Sequence, residues 1–98
     1  MIYVRLPDLV SQLANTSRDV ELDAENCVTQ GDLIDVLERR FPTLKGALRD
    51  ISSGQRRPFV RFFANEEDIS QLGLDAPLPE NVINGSEVFQ IIGAIAGG

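Results

Sequence analysis

The chain has 98 residues, 43% of them hydrophobic, and its 15 acidic against 9 basic side chains leave a formal net charge of −6. That length holds one domain with one modest core, and the acidic balance argues against a nucleic-acid binder held by phosphate contacts. With no histidine and a single cysteine, the usual zinc sites and the Ser-His-Asp and Cys-His catalytic arrangements lack their parts, so no metal site is expected.

The stretch from Met1 to Asp8 has an acid and a proline where the apolar run of a signal peptide belongs. No apolar run approaches the roughly 20 residues needed to span a bilayer, so no membrane partner is expected. Cys27 has no second cysteine to pair with, which fits a reducing compartment and gives the cytoplasm as the expected location. It reads as a small core or loop residue rather than a reactive thiol.

Ile2, Val4 and Leu6 alternate with Tyr3 and Arg5, the period of a half-buried strand that Pro7 ends. Arg18 to Asp23 alternates again, and a hairpin through a polar connection, with Asn15-Thr16-Ser17 as its turn, joins the two. Thr29 and Asp32 have capping-box spacing. Leu33, Ile34, Leu37 and Phe41 then form one helical stripe, with Asp35, Glu38 and Arg39 off it, and Pro42 stops the helix. Leu44, Ala47, Leu48 and Ile51 are spaced for a second short helix.

Ser52 to Pro58 is a loop by composition, and its Arg56-Arg57 pair reads as solvated rather than as an anion contact. Phe59 to Ala64 is a third strand, with Val60, Phe62 and Ala64 toward the core and Phe59, Arg61 and Phe63 on the wetter face. Asn65-Glu66 turns into a very short strand whose acids, Glu66, Glu67 and Asp68, read as solvated rather than metal-binding. Leu72 to Pro79 is a loop anchored by Leu72, Leu74 and Leu78. Asn84-Gly85 is the strongest turn dipeptide, and Val88 to Ile92 is apolar on both faces, as a central strand is. The order β-β-α-(short α)-β-β-β makes an α+β domain spanning 1–98, a small sheet covered on one face by one main helix.

Past the last strand, Gly93-Ala94-Ile95-Ala96-Gly97-Gly98 reads as a small-residue tail over 93–98, expected to be mobile and to end in a free carboxylate. Terminal glycines let a backbone enter a narrow channel that a Cβ would block. Two of them arise by chance in roughly one chain in two hundred. A carboxylate on such a leash suits delivery to another protein's active site, and with no positioned neighbours to tune it, it is a poor catalyst.

Taken with the element order, three stretches carry a family resemblance: Ala64-Asn65-Glu66-Glu67-Asp68-Ile69, Asn84-Gly85-Ser86-Glu87-Val88, and Ala94-Ile95-Ala96-Gly97-Gly98. On these the chain resembles the ubiquitin-like β-grasp sulfur carriers. They include the molybdopterin synthase small subunit, the thiamin sulfur carrier, and carriers of cysteine and siderophore thiocarboxylate pathways. The resemblance implies a β-grasp fold with a mixed sheet, and a carrier rather than an enzyme. It implies that Gly98 is adenylated by an ATP-dependent, E1-like partner and converted to a thiocarboxylate, whose sulfur a biosynthetic enzyme then takes. Ile95, Ala96, Gly97 and Gly98 would enter the partners' channels. The chain would bind no cofactor, the ATP being used by the partner.

The chain departs from the family in having Gly93 where a proline often precedes the tail. Its segment from Gly85 onward is also one residue longer, which points to a bulge in the last strand. Aligned back from Gly98, Phe89 and Ile91 fall in the core. Val88 and Ile92 then join Phe59 and Phe63 in an exposed apolar patch, the usual mark of a partner site. The net charge implies a basic rim on a partner and salt-sensitive docking. Two other readings stay open: a ubiquitin-like modifier joined to lysines through Gly98, and a non-covalent regulatory module in which the glycines are incidental.

Overall fold

The apolar alternation at the start of the chain becomes the first wall of the core. In the computed structural model, which describes residues 1–93, Ile2, Val4 and Leu6 are all at most 1% exposed. Strand β1 (Ile2–Arg5) pairs antiparallel with β2 (Asp19–Leu22) through Ile2↔Leu22 and Val4↔Val20. Their connection is not a polar loop, because a helix, α1 (Asp8–Ala14), forms within it. Pro7 sits at its N-cap, Asp8 fills its first turn, and Asn15 ends it at φ 54°, in the left-handed region.

Helix α2 (Gln30–Arg40) begins at the expected capping box. The Asp32 N–H donates to Thr29 Oγ1 at 3.1 Å, and the Thr29 N–H donates back to Asp32 Oδ2 at 3.0 Å. The Val28 N–H donates to the same oxygen, and these backbone donors hold the Asp32 carboxyl below its ordinary value. Leu33, Ile34 and Leu37 are fully buried against the sheet, while Phe41, at the C-cap just before Pro42, is only partly buried.

Two expectations on this side of the core fail. The second helix does not form: Pro42–Leu44 is a single 3-10 turn, and Gly46 at φ 86° breaks the path beyond it. Leu44 and Leu48 reach the core, but Ile51 is 76% exposed. Glu38, placed off the apolar stripe, is nonetheless buried and accepts from Arg49 Nε at 3.1 Å and Nη2 at 2.8 Å. Arg49 also bonds Asp35, so one guanidinium ties the 45–57 loop to α2. Replacing Arg49 by alanine strands the Glu38 carboxylate in the interior, and urea unfolding is expected to show a loss of roughly 3 kcal/mol.

The sheet runs β2-β1-β5-β3-β4, with β3 spanning Val60–Ala64, β4 Glu67–Asp68 and β5 Phe89–Gly93. The doubly apolar segment is central, parallel to β1 and antiparallel to β3. Its register from Phe63↔Gln90 to Val60↔Gly93 advances one residue at a time, so the expected bulge is absent from these pairs. Gly93 therefore closes β5 rather than opening the tail. Phe62 and Phe89 meet at the middle of the core with ring centroids 5.3 Å apart.

Asn65 and Glu66 make the tight β3–β4 turn at φ 55° and 63°. Among the loop anchors Leu78 is buried and Leu74 partly so, but Leu72 is 65% exposed. A one-turn helix, α3 (Glu80–Ile83), precedes Asn84-Gly85, so that turn ends a helix instead of closing a hairpin. Gly85 has φ 86°, and a Cβ there would come within 2.8 Å of the Met1 carbonyl oxygen.

Candidate functional site

Strand alternation divides the sheet into a face on the core and a face open to solvent. On the open face, Tyr3 and Arg5 come from β1, Gln90 and Ile92 from β5, and Arg61 and Phe63 from β3. Of the four residues expected to make an apolar patch, Phe63 is half-buried, while Val88 is 37%, Ile92 41% and Phe59 63% exposed. Phe63 stands opposite Gln90, which makes Ile92, and Val88 just before β5, its diagonal neighbours, within reach of an aromatic ring. Phe59 is one residue short of β3, in the turn closed by Val60 N–H to the Arg57 carbonyl at 3.0 Å. It stands at the sheet's end, outside the strand in which the sequence placed it.

Ion pairs frame this apolar strip. Arg5 Nε donates to Asp19 at 2.8 Å on the β2 side, and Arg61 donates to Asp68 at 2.8 Å on the β4 side, with Gln71 3.3 Å away. The Asp68 carboxyl lies below its ordinary value, first because of Ser70 and then because of Arg61. A lowered carboxyl stabilises the fold above its unfolded pKa, near 3.9, and that stability is lost as pH falls through the native value. Asp68→Asn is expected to flatten the acid limb of the stability–pH curve, measured by thermal unfolding between neutral and strongly acid pH.

The Arg56-Arg57 pair is not merely solvated. Arg56 Nη1 donates to the Val60 carbonyl at 2.6 Å, and Arg57 Nε donates to the Gly46 carbonyl at 2.5 Å. Arg56 thus fastens the loop to the start of β3, where Val60 pairs with Gly93, and Arg57 ties the two ends of the loop together. Cys27 is 4% exposed, and burial pushes its thiol up, as expected of a core residue. No cluster able to hold a metal ion occurs among the described residues, and none of their helices is long and apolar enough to cross a membrane. Ile95, Ala96, Gly97 and Gly98 lie outside the described residues.

The first helix also leaves a surface that the strand reading missed. Leu9 and Leu13, one turn apart on α1, are 49% and 46% exposed. The signal was present in the sequence as apolar residues at 9, 10 and 13 immediately after Pro7-Asp8.

No family model and no curated protein matches this sequence. Solved structures do. The chain is similar to the Amycolatopsis orientalis BexX/CysO complex with a TM-score of 0.76 at 23% identity, covering 100% of both chains. This is the ubiquitin-like β-grasp fold. The β-grasp of Mycobacterium tuberculosis CysO matches with a TM-score of 0.73 at 24% identity, over 96% of this chain and 99% of that one. Haloferax volcanii SAMP1 matches with a TM-score of 0.73 at 21% identity, over 98% of this chain and 97% of that one. At these identities the likeness concerns the β-grasp alone, and function rests on the site.

Proposed function

We propose that this β-grasp protein is a sulfur carrier. An ATP-dependent, E1-like partner adenylates the Gly98 carboxylate, sulfide equivalents displace AMP, and the resulting thiocarboxylate gives its sulfur to a biosynthetic enzyme. Adenylation supplies the leaving group that a carboxylate lacks, and the carrier contributes a tail and a docking surface rather than a catalytic residue. The observation that carries the reading is the placement of β5. The central strand runs under the open apolar strip and leads directly into the segment ending in Gly97-Gly98. One partner surface can therefore seat Phe63, Val88 and Ile92 while its active site takes the tail. The structure of a CysO protein in complex with BexX supports a partner-dependent role. Such a carrier works in the reducing cytoplasm, and the excess of acids calls for a basic rim on the enzyme that receives it.

The test is the intact mass of the protein from its native cells, with the tail fragments sequenced. A gain equal to exchange of one oxygen for sulfur, localised to Gly98, is the expected result. An unmodified carboxylate during sulfur-replete growth, with the partners expressed, overturns the reading. A second reading, a modifier joined through Gly98 to lysines of other proteins, draws on the similarity to small archaeal modifier protein 1. Lysine conjugates in place of the thiocarboxylate would establish it.

A further inference from the structure

We propose that Asn84 is a gated deamidation site. While Asn81 stays latched to Asn65, the Asn84-Gly85 turn keeps its side-chain amide; when that latch opens, Asn84 converts through a cyclic imide to aspartate and isoaspartate. The site stands apart from the tail and does not depend on the carrier reading.

Of the five asparagines, at 15, 26, 65, 81 and 84, only Asn84 is followed by glycine. The side chain of an asparagine is attacked by the main-chain nitrogen of the next residue, and a glycine there carries no Cβ to crowd the approach. The fold has a reason to keep this pair. Gly85 lies at φ 86°, and a Cβ would come within 2.8 Å of the Met1 carbonyl oxygen. Asn84 itself is exposed, so water reaches it.

The closed turn holds the reacting atoms apart. The imide ring needs the Gly85 nitrogen on the Cβ side of the Asn84 Cα–C bond. At ψ −2° that nitrogen eclipses the Asn84 nitrogen instead, about a third of a turn away. Turning it swings every later residue. The Gly85 N–H must then leave the Val82 carbonyl at 3.1 Å, and the Ser86 and Glu87 N–H groups must leave the Asn81 carbonyl, both at 2.9 Å. The Ser86 N–H and hydroxyl also donate to Asn84 Oδ1, at 2.9 and 2.6 Å.

A second set of bonds fastens this turn to the one between β3 and β4. Asn81 Nδ2 donates to Asn65 Oδ1 at 2.6 Å, Asn65 Nδ2 donates back to Asn81 Oδ1 at 3.2 Å, and the Asn65 N–H donates to Glu87 Oε2 at 2.9 Å. These bonds are exposed, and α3 is a single turn. Such a segment opens at a lower cost than the whole domain.

In the step itself hydroxide takes the Gly85 N–H proton, and that nitrogen forms an N–C bond to Asn84 Cγ. The bond from Cγ to the side-chain nitrogen breaks, and ammonia leaves with a proton from water. Water then adds to either carbonyl of the imide and breaks one C–N bond. Nothing is oxidised or reduced. Aspartate keeps the main-chain path, whereas isoaspartate routes it through Cγ and adds one atom between α3 and β5, ahead of Val88 on the open strip.

The test follows the full chain in mildly alkaline buffer by intact mass and peptide mapping. Wild type is compared folded and in urea, beside folded Asn81→Ala. Conversion at Asn84 is expected to be at least about tenfold slower in the folded chain than in urea. It is expected to quicken several-fold in Asn81→Ala, in step with faster hydrogen exchange at the Ser86 and Glu87 amides. Asn84→Ser is expected to lose the product altogether. Equal rates folded and unfolded overturn the gate, and conversion that starts at another asparagine overturns the site. A wild-type rate in Asn81→Ala overturns the latch; Glu87→Ala, which frees the Asn65 N–H from the other side, takes its place should Asn81→Ala not fold.

Discussion

Adding one alanine after Gly98 is expected to abolish adenylation while leaving the fold unchanged. On the proposed carrier reading, activation takes place at one carboxylate, which would have to reach the α-phosphate of ATP through a channel that admits glycine and excludes a Cβ. An extra residue moves the carboxylate one position along and puts a Cβ where Gly98 has none. The core cluster is built from residues between Ile2 and Ile91, so the addition alters no core side chain. The measurement is ATP–pyrophosphate exchange with the activating enzyme, expected to fall to background, beside an unfolding curve that overlays the wild type. Undiminished exchange would show that Gly98 is not the activated residue. Function retained in cells despite lost exchange would favour the non-covalent regulatory reading.

The largest effect on stability is expected at Phe62. Its ring is 1% exposed, packs on Phe89 with centroids 5.3 Å apart, and belongs to a strand that pairs on both sides. Truncation to alanine removes the transfer energy of the ring and leaves a cavity that two neighbouring strands cannot collapse into, a loss of about 3–5 kcal/mol. Against a total of about 5–15 kcal/mol for a domain, that is a large fraction. Urea unfolding should show a much lower midpoint with the slope nearly unchanged. Ile92→Ser, on the other face of the neighbouring strand and 41% exposed, makes the contrast. It is expected to change stability by no more than about 0.5 kcal/mol and, on the proposed carrier reading, to weaken association with the activating enzyme. Loss of stability without loss of association in that variant would remove the open face as a docking surface.

Much of this protein was legible because its signals are local. Period-2 alternation placed β1 and β2, aromatic and β-branched content placed β3, a doubly apolar run placed β5, the Thr29–Asp32 spacing placed the start of α2, and Asn65-Glu66 placed the β3–β4 turn and the short β4 after it. In β5 it was the alignment back from Gly98 that separated Phe89 and Ile91, which are buried, from Ile92, which is not. Each of these depends on side chains a few residues apart, and the backbone geometry of a strand or helix converts that spacing directly into a face. The short α1 was overlooked because seven residues show barely two turns of periodicity, although its Pro-Asp start was readable.

The sequence by itself determined the class of the fold, the sign of the net charge, and the pair of glycines at 97 and 98 on which the proposed function turns. Only the tertiary structure decided the rest. It turned Glu38 inward to meet Arg49, replaced an apparent helix after Pro42 with a 3-10 turn and loop, and left Ile51 and Leu72 in solvent. It also bound the Arg57 guanidinium to the Gly46 carbonyl and that of Arg56 to the Val60 carbonyl. These outcomes turn on partners distant in the chain. A carboxylate is buried only where a guanidinium arrives to pair it, and an apolar residue is covered only where another element happens to lie over it.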